Sequence, residues 1–268
     1  MTIKQLKQHG RVFFLSSMIV IFFQLGVLLA DDSPTFETSS EYALALELLE
    51  TGDWQEIDKG FYTIVRHVSE ESIKTALIDK LEEETSRHQT AGRFEDHAHM
   101  EFYMNLAGVV GQMKDDPRII LPLINALGVV GGMYIPTTLA HIGMPALEAV
   151  LVKYDEPNVD LRLGILITLQ EMFRLDSLNK RIHQTSTNLQ AVQDILLRGI
   201  DDSNHFIRRR AVKVIGVLGD RSFADRLVFI AQNDPYYWSR NTDNQRKDWS
   251  QLRYPVRESA QEIIKSWE

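Results

Sequence analysis

Residues 207–220, IRRRAVKVIGVLGD, carry the pattern that decides the fold. Ile207, Ala211, Ile215 and Leu218 recur at helical spacing and form one apolar face, while Gly219 and Asp220 read as a helix stop followed by a new start. The opening of this unit returns twice. Leu161-Arg162-x-x-Ile165-x-x-x-Leu169 lies before it and Val256-Arg257-x-x-Ala260-x-x-x-Ile264 after it, which places the arginines 46 and 49 residues apart. A second unit type, Leu139-x-x-Ile142-Gly143-x-Pro145-Ala146-Leu147-x-x-Val150-Leu151, breaks one helix at Gly143 and starts another near Pro145.

Outward from these units the chain reads as helix after helix. Paired helices are expected at about 116–128 with 134–142, 145–153 with 158–173, 189–200 with 204–218, and 222–232 with 254–267. A single pair leaves apolar surface uncovered, and stacked pairs bury it in a continuous core, each repeat touching its neighbours. Residues 41–115 hold further helical pairs that match only in kind. Thr38 and Glu41 have capping-box spacing for a helix to Thr51, and Asp53 with Glu56 starts the next. A third carries Ile73, Leu77, Ile78 and Leu81 and closes in a charged tail, KLEEETSRH. Period-2 runs bounded by turn residues are nearly absent, so the expected class is all-α.

The stretch 207–220 resembles the second helix of HEAT repeats, including their shorter lyase-associated variant, and 139–151 is similar to the first-helix pattern. The likeness covers about 116–268. Ile165 departs from it where a small residue is usual, and the unit at 256–264 has no closing Gly–Asp. This resemblance implies a right-handed α-α superhelical solenoid, scaffolding rather than catalysis, and a ladder of Asp and Arg between repeats. Arg162, Arg208 and Arg257 are its candidate arginines, with Asp155 and Asp202, together with Glu156 and Asp201, as partners in the preceding turns.

Residues 1–30 read as an address. Lys4, Lys7 and Arg11 precede 19 uncharged residues, Val12 to Ala30, and Asp31 and Asp32 follow at once. This is the order of a secretory signal peptide, and 19 apolar residues also approach the ~20 that span a bilayer, so a retained signal anchor is the competing reading. Either reading puts residues 31–268 outside the cytoplasm, periplasmic or secreted, touching a membrane only through residues 12–30 if these are kept. Residues 31–40 follow as a polar linker.

The chain has 268 residues, no cysteine and a formal charge of −8, which becomes −11 once Lys4, Lys7 and Arg11 are removed. Lack of cysteine excludes disulfides, thiol catalysis and Cys-ligated metal centres. The acidic balance argues against nucleic acid as a partner. Arg208, Arg209 and Arg210 fan around a helix, so one ladder residue and two solvated ones are expected rather than a patch.

Two places carry candidate chemistry. Residues 233–253 interrupt the last helix pair with Tyr236, Tyr237, Trp238, Arg240 and Trp249, along with Arg246 and Lys247. Aromatic residues with arginine are the composition of binding hot spots, and the same segment also suits a cap on the open end of a stack. His97 and His99 are metal-ligand types, but i,i+2 residues on a helix point about 200° apart, and His97–Glu101 and Glu95–His99 have i,i+4 ion-pair spacing. Gly108, Gly111, Gly128, Gly131 and Gly132 punctuate an apolar stretch that Lys114, Asp115, Asp116 and Arg118 split, which suits buried helices joined by glycine turns. Nucleotide-binding, serine-hydrolase and zinc-protease motifs are absent, and no catalytic residue or cofactor is expected. The expected function is protein–protein interaction by an exported scaffold. The competing reading is an extracytoplasmic enzyme or a small-ligand or metal binder using the groove and the 233–253 insertion.

Overall fold

The computed structural model describes residues 36–129, 134–175, 186–239 and 252–268. The leader segment 1–30, its following residues to 35, Gly131, Gly132 and the insertion's Arg240, Arg246, Lys247 and Trp249 lie outside the described residues. The chain divides into two units, Met1–Leu44 and Ala45–Glu268. Of the first unit, the described residues 36–44 are the opening of a helix.

The described residues are mostly helical. The α-helices are α1 (Phe36–Thr51), α2 (Trp54–Arg66), α3 (Glu71–Ala91), α4 (His97–Gln112), α5 (Ile120–Leu127), α6 (Tyr134–Ile142), α7 (Met144–Lys153), α8 (Val159–Arg174), α9 (Ser186–Ile200), α10 (His205–Leu218), α11 (Ala224–Asn233) and α12 (Pro255–Trp267). Short 3-10 turns at Pro117–Ile119 and Arg221–Phe223 lead into α5 and α11. Between α11 and α12, β1 (Trp238–Ser239) and β2 (Leu252–Arg253) pair antiparallel, Trp238 opposite Arg253.

Helix starts follow side-chain chemistry. Asp53 accepts from the backbone N–H of Gln55 and Glu56, and Glu56 accepts in return from the N–H of Asp53, a complete capping box. Asp96, Asn158 and Asn204 cap α4, α8 and α10 through their own side-chain oxygens. Thr38 does not start α1, because that helix begins at Phe36 and takes in the last residues of the expected linker. At the other end of α10, Gly219 adopts φ +71, the left-handed conformation that halts a helix, and Asp220 then accepts from Ser222 N–H to open the next turn. Gly143, at φ +83, makes the equivalent break between α6 and α7, and Pro145 sits in the first turn of α7.

Within the second unit the helices contact one another in two rows. The even-numbered α2, α4, α6, α8, α10 and α12 touch in succession, and so do the odd-numbered α3, α5, α7 and α9. Cross-row contacts join α3 to α4, α5 to α6, α7 to α8, α9 to α10 and α11 to α12. The core lies between the rows. From α10 it receives Ile207, Ala211, Val214 and Ile215, all fully enclosed, and from α8 it receives Ile165, Leu166 and Leu169. Each of these Val, Leu and Ile side chains contributes about 1.5–3 kcal/mol by leaving water. At Gly216 a Cβ would stand 2.7 Å from Ile263, so the missing side chain lets α12 approach α10 closely.

Candidate interaction site

The arginine units sit alike in their helices and reach in the same direction. Arg162, near the start of α8, places its guanidinium 3.4 Å from the Asp202 carboxylate, in the turn between α9 and α10. Arg208, near the start of α10, makes two bonds to Asp234, Nε to Oδ2 at 2.6 Å and Nη2 to Oδ1 at 3.2 Å, in the turn after α11. Each therefore takes its carboxylate from the next helix pair. For Arg208 the turn preceding its own helix supplies carbonyl oxygens instead, those of Asp202 and Ser203 at 3.0 and 2.9 Å. The side chain of Asp202 is occupied by Asn204 N–H and by Arg162. Asp155 pairs with Arg198 of α9, and Asp201 pairs with Arg226 of α11, so a second set of arginines reaches back to the turn of the preceding pair. These outer pairs are exposed and individually worth little.

Asp234 is the centre of the C-terminal constellation. It is 6% exposed. Besides Arg208 it accepts from Tyr236 N–H at 3.0 Å, and its carbonyl accepts from Arg257 Nε at 2.6 Å. Arg257 also lies over the Tyr254 ring, 4.3 Å from its centroid. The segment entering the insertion is thus bound to α10 and α12 at once. Tyr236 stacks flat on His205, with ring centroids 3.5 Å apart and planes 10° apart, and His205 in turn meets Phe206 at 4.0 Å. Beyond this anchor, Tyr237 and Trp238 are 46% and 49% exposed and Phe206 is 58% exposed. Tyr237 leans on Tyr254 at 6.1 Å, and Trp238 is held in the two-stranded pairing. An exposed aromatic pair on a fixed backbone gives large contact area at small ordering cost.

The His205 imidazole is held below the ordinary histidine range, first by burial and then by the nearby Arg208 cation, with Asp234 opposing. Its Nε2 is buried without a hydrogen-bond partner.

His97 and His99 are not brought together. His97 is exposed and pairs with Glu101 at 3.2 Å. His99 is enclosed, its Nε2 3.0 Å from the buried Glu84 carboxylate and its ring stacked on Trp54 at 4.9 Å. Trp54 donates its indole N–H to Glu95 at 3.1 Å, so that side chain does not serve His99. Among the described residues no three His, Asp or Glu side chains converge as a metal would require. Glu84 stands in the segment read as a charged tail, yet it continues the stripe of Ile73, Leu77 and Leu81, and that periodicity is the signal that marks it as buried.

Arg209 and Arg210 do fan apart: Arg209 is exposed and reaches toward α12, whereas Arg210 is half-buried against α8 rather than fully solvated. Lys213 follows them at i,i+4 and i,i+3 spacing. In comparisons with known proteins, no family model and no curated protein matches the chain.

Proposed function

We propose that this chain is an exported, non-catalytic scaffold of HEAT-like helix pairs that engages another protein through the arm around Tyr236, Tyr237 and Trp238. Two rows of successive contacts and repeated arginine units support the solenoid reading. The apolar run from Val12 to Ala30, behind Lys4, Lys7 and Arg11, supports export. Among the described residues no helix is long and apolar enough to cross a membrane. The observation that carries the reading is the pairing of exposure with anchorage: Tyr237 and Trp238 stand out while Asp234 fixes the backbone just before them. An arm that merely capped the stack would bury these rings.

The test is affinity capture from the native host with the full chain as bait, wild type beside Tyr237→Ala/Trp238→Ala. The expected result is a stoichiometric protein retained by the wild type and lost by the variant, with a melting temperature nearly unchanged. Hot-spot aromatics of this kind cost about 2 kcal/mol or more of binding when truncated. A variant that captures the same protein equally well, or that loses stability by a similar amount, overturns the reading. Mass spectrometry of the recovered bait shows whether residues 1–30 remain.

A further inference from the structure

We propose that the outward side of the even-numbered row at α8, α10 and α12 is a binding surface for an acidic peptide segment, read by Arg209, Arg210 and Lys213. This rests on its own geometry and needs neither the aromatic arm nor export.

Among the described residues none of the three cations holds a carboxylate. Arg210 is half-buried, and its guanidinium donates only to the neutral Gln170 Oε1 of α8, at 2.8 Å. Arg209 reaches Ser259 Oγ of α12 at 3.4 Å. Lys213, one turn further along α10 and also half-buried, has no hydrogen bond or ion pair among the described residues. By contrast, Arg162, Arg208, Arg198 and Arg226 each hold a carboxylate.

The acids nearby are engaged elsewhere or stand off. Glu171 faces Arg210 but is bound by Arg174 at 3.3 Å. Glu258 faces Arg209 but is held by both nitrogens of the Arg253 fork, each at 2.7 Å. Glu262 faces Lys213 without an ion pair. Burial first, then neighbouring cations (Arg209 and Arg174 for Arg210, Arg209 and Arg210 for Lys213), disfavour the charged forms, with Glu171 and Glu262 opposing, and a bound anion relieves this. The other end of the same row has the opposite character, since Asp58 of α2 faces Glu101 of α4 there.

The arrangement selects among anions. All three side chains start on α10, with Arg209 leaning toward α12 and Arg210 toward α8, so the two guanidinia diverge instead of converging. A compact oxyanion needs donors converging on one point. A line of carboxylates matches spread donors, and release of counterions makes its binding salt-dependent. A chain with a formal charge of −8 otherwise repels such a ligand.

The experiment titrates the full chain against a fluorescent oligo-glutamate peptide by anisotropy. Saturable binding is expected for the wild type. Arg209→Gln/Arg210→Gln/Lys213→Gln should weaken it about tenfold or more, as loss of interfacial charge pairs does. Arg198→Gln/Arg226→Gln removes charge from paired arginines and should change it less than about twofold. If the triple variant does not fold, Arg209→Gln/Lys213→Gln decides, since it leaves the Arg210–Gln170 bond in place. Absence of binding by the wild type overturns the proposal, and so does equal binding by wild type and triple variant. Tripolyphosphate run in parallel separates the anion classes. Binding of tripolyphosphate through these residues without binding of oligo-glutamate also overturns it.

Discussion

Two buried acid–base pairs, one in each half of the helical array, use the same chemistry to opposite ends. In the first, the side chains of Glu84 and His99 are 1% and 5% exposed and are closed over by aromatics, with Trp54 stacked on the imidazole and Phe94 edge-on to it at 5.6 Å. In the second, the side chains of Asp234 and Arg208 are 3% and 12% exposed, and their remaining bonds go to backbone: Asp202, Ser203 and Tyr236. The aromatics attached to the second pair, Tyr237 and Trp238, stand in solvent. A buried charge must be compensated wherever it lies. What differs is whether the compensating network ties core to core or ties an irregular segment to the core.

The largest effect is expected at Asp234. Asp234→Ala leaves Arg208 without its carboxylate in a nearly enclosed position and frees the Tyr236 N–H, so a loss of about 3–5 kcal/mol is expected in urea unfolding. Partner capture should fall with it, because the backbone before Tyr237 is no longer fixed. A loss below about 1 kcal/mol would show that the arm is held by something other than Asp234. Glu84→Ala comes next, at about 2 kcal/mol, since it removes one buried hydrogen bond to His99 Nε2, while Arg87, 3.3 Å from the other carboxylate oxygen, is partly exposed. Glu84→Gln should recover most of that, by keeping a hydrogen-bonding group opposite His99 Nε2. The sharper contrast is functional: Glu84→Ala should leave partner capture intact at temperatures where it stays folded. If it abolishes capture, the two pairs are not independent.

The sequence carries the helix succession well because starts and stops are local. Gly219 with Asp220, Gly143 with Pro145, and Asp53 with Glu56 each act through their own turn, and each is legible without the rest of the chain. The partners of the repeated arginines are not local. Asp155 and Asp202 look suited to the helices that follow them, but Arg208 takes Asp234 from the next pair, because the register between rows is set by packing. The same limit applies to the two buried pairs. Glu84 sits amid KLEEETSRH, where composition suggests solvent, while its position relative to Leu77 and Leu81 points inward. The aromatic cluster at 236–238 is visible as composition; its tie to the core through Asp234 is not, since it depends on Arg208 and Arg257 arriving from two other helices.

The smallest effect expected is also the one that separates anchorage of the arm from stability of the core. His205 has a folded-state pKa below its ordinary value of about 6.5, so the fold favours the neutral ring. A group with a depressed pKa of this kind contributes stability that is present above the unfolded value and is lost as pH falls through the folded one. Protonation at mildly acidic pH would place a cation at the start of α10, beside Arg208 and against the positive end of the helix, with only Asp234 to offset it. The flat stack on Tyr236 is the contact that must loosen. Lowering pH from neutral to about 5 should therefore change Trp238 fluorescence and weaken partner capture before the global melting temperature falls appreciably. His205→Gln should flatten this response while leaving the neutral-pH signal nearly the same. Should the variant titrate as the wild type does, the arm's pH response arises elsewhere, and the stack is a packing contact with no hold on Tyr237 and Trp238.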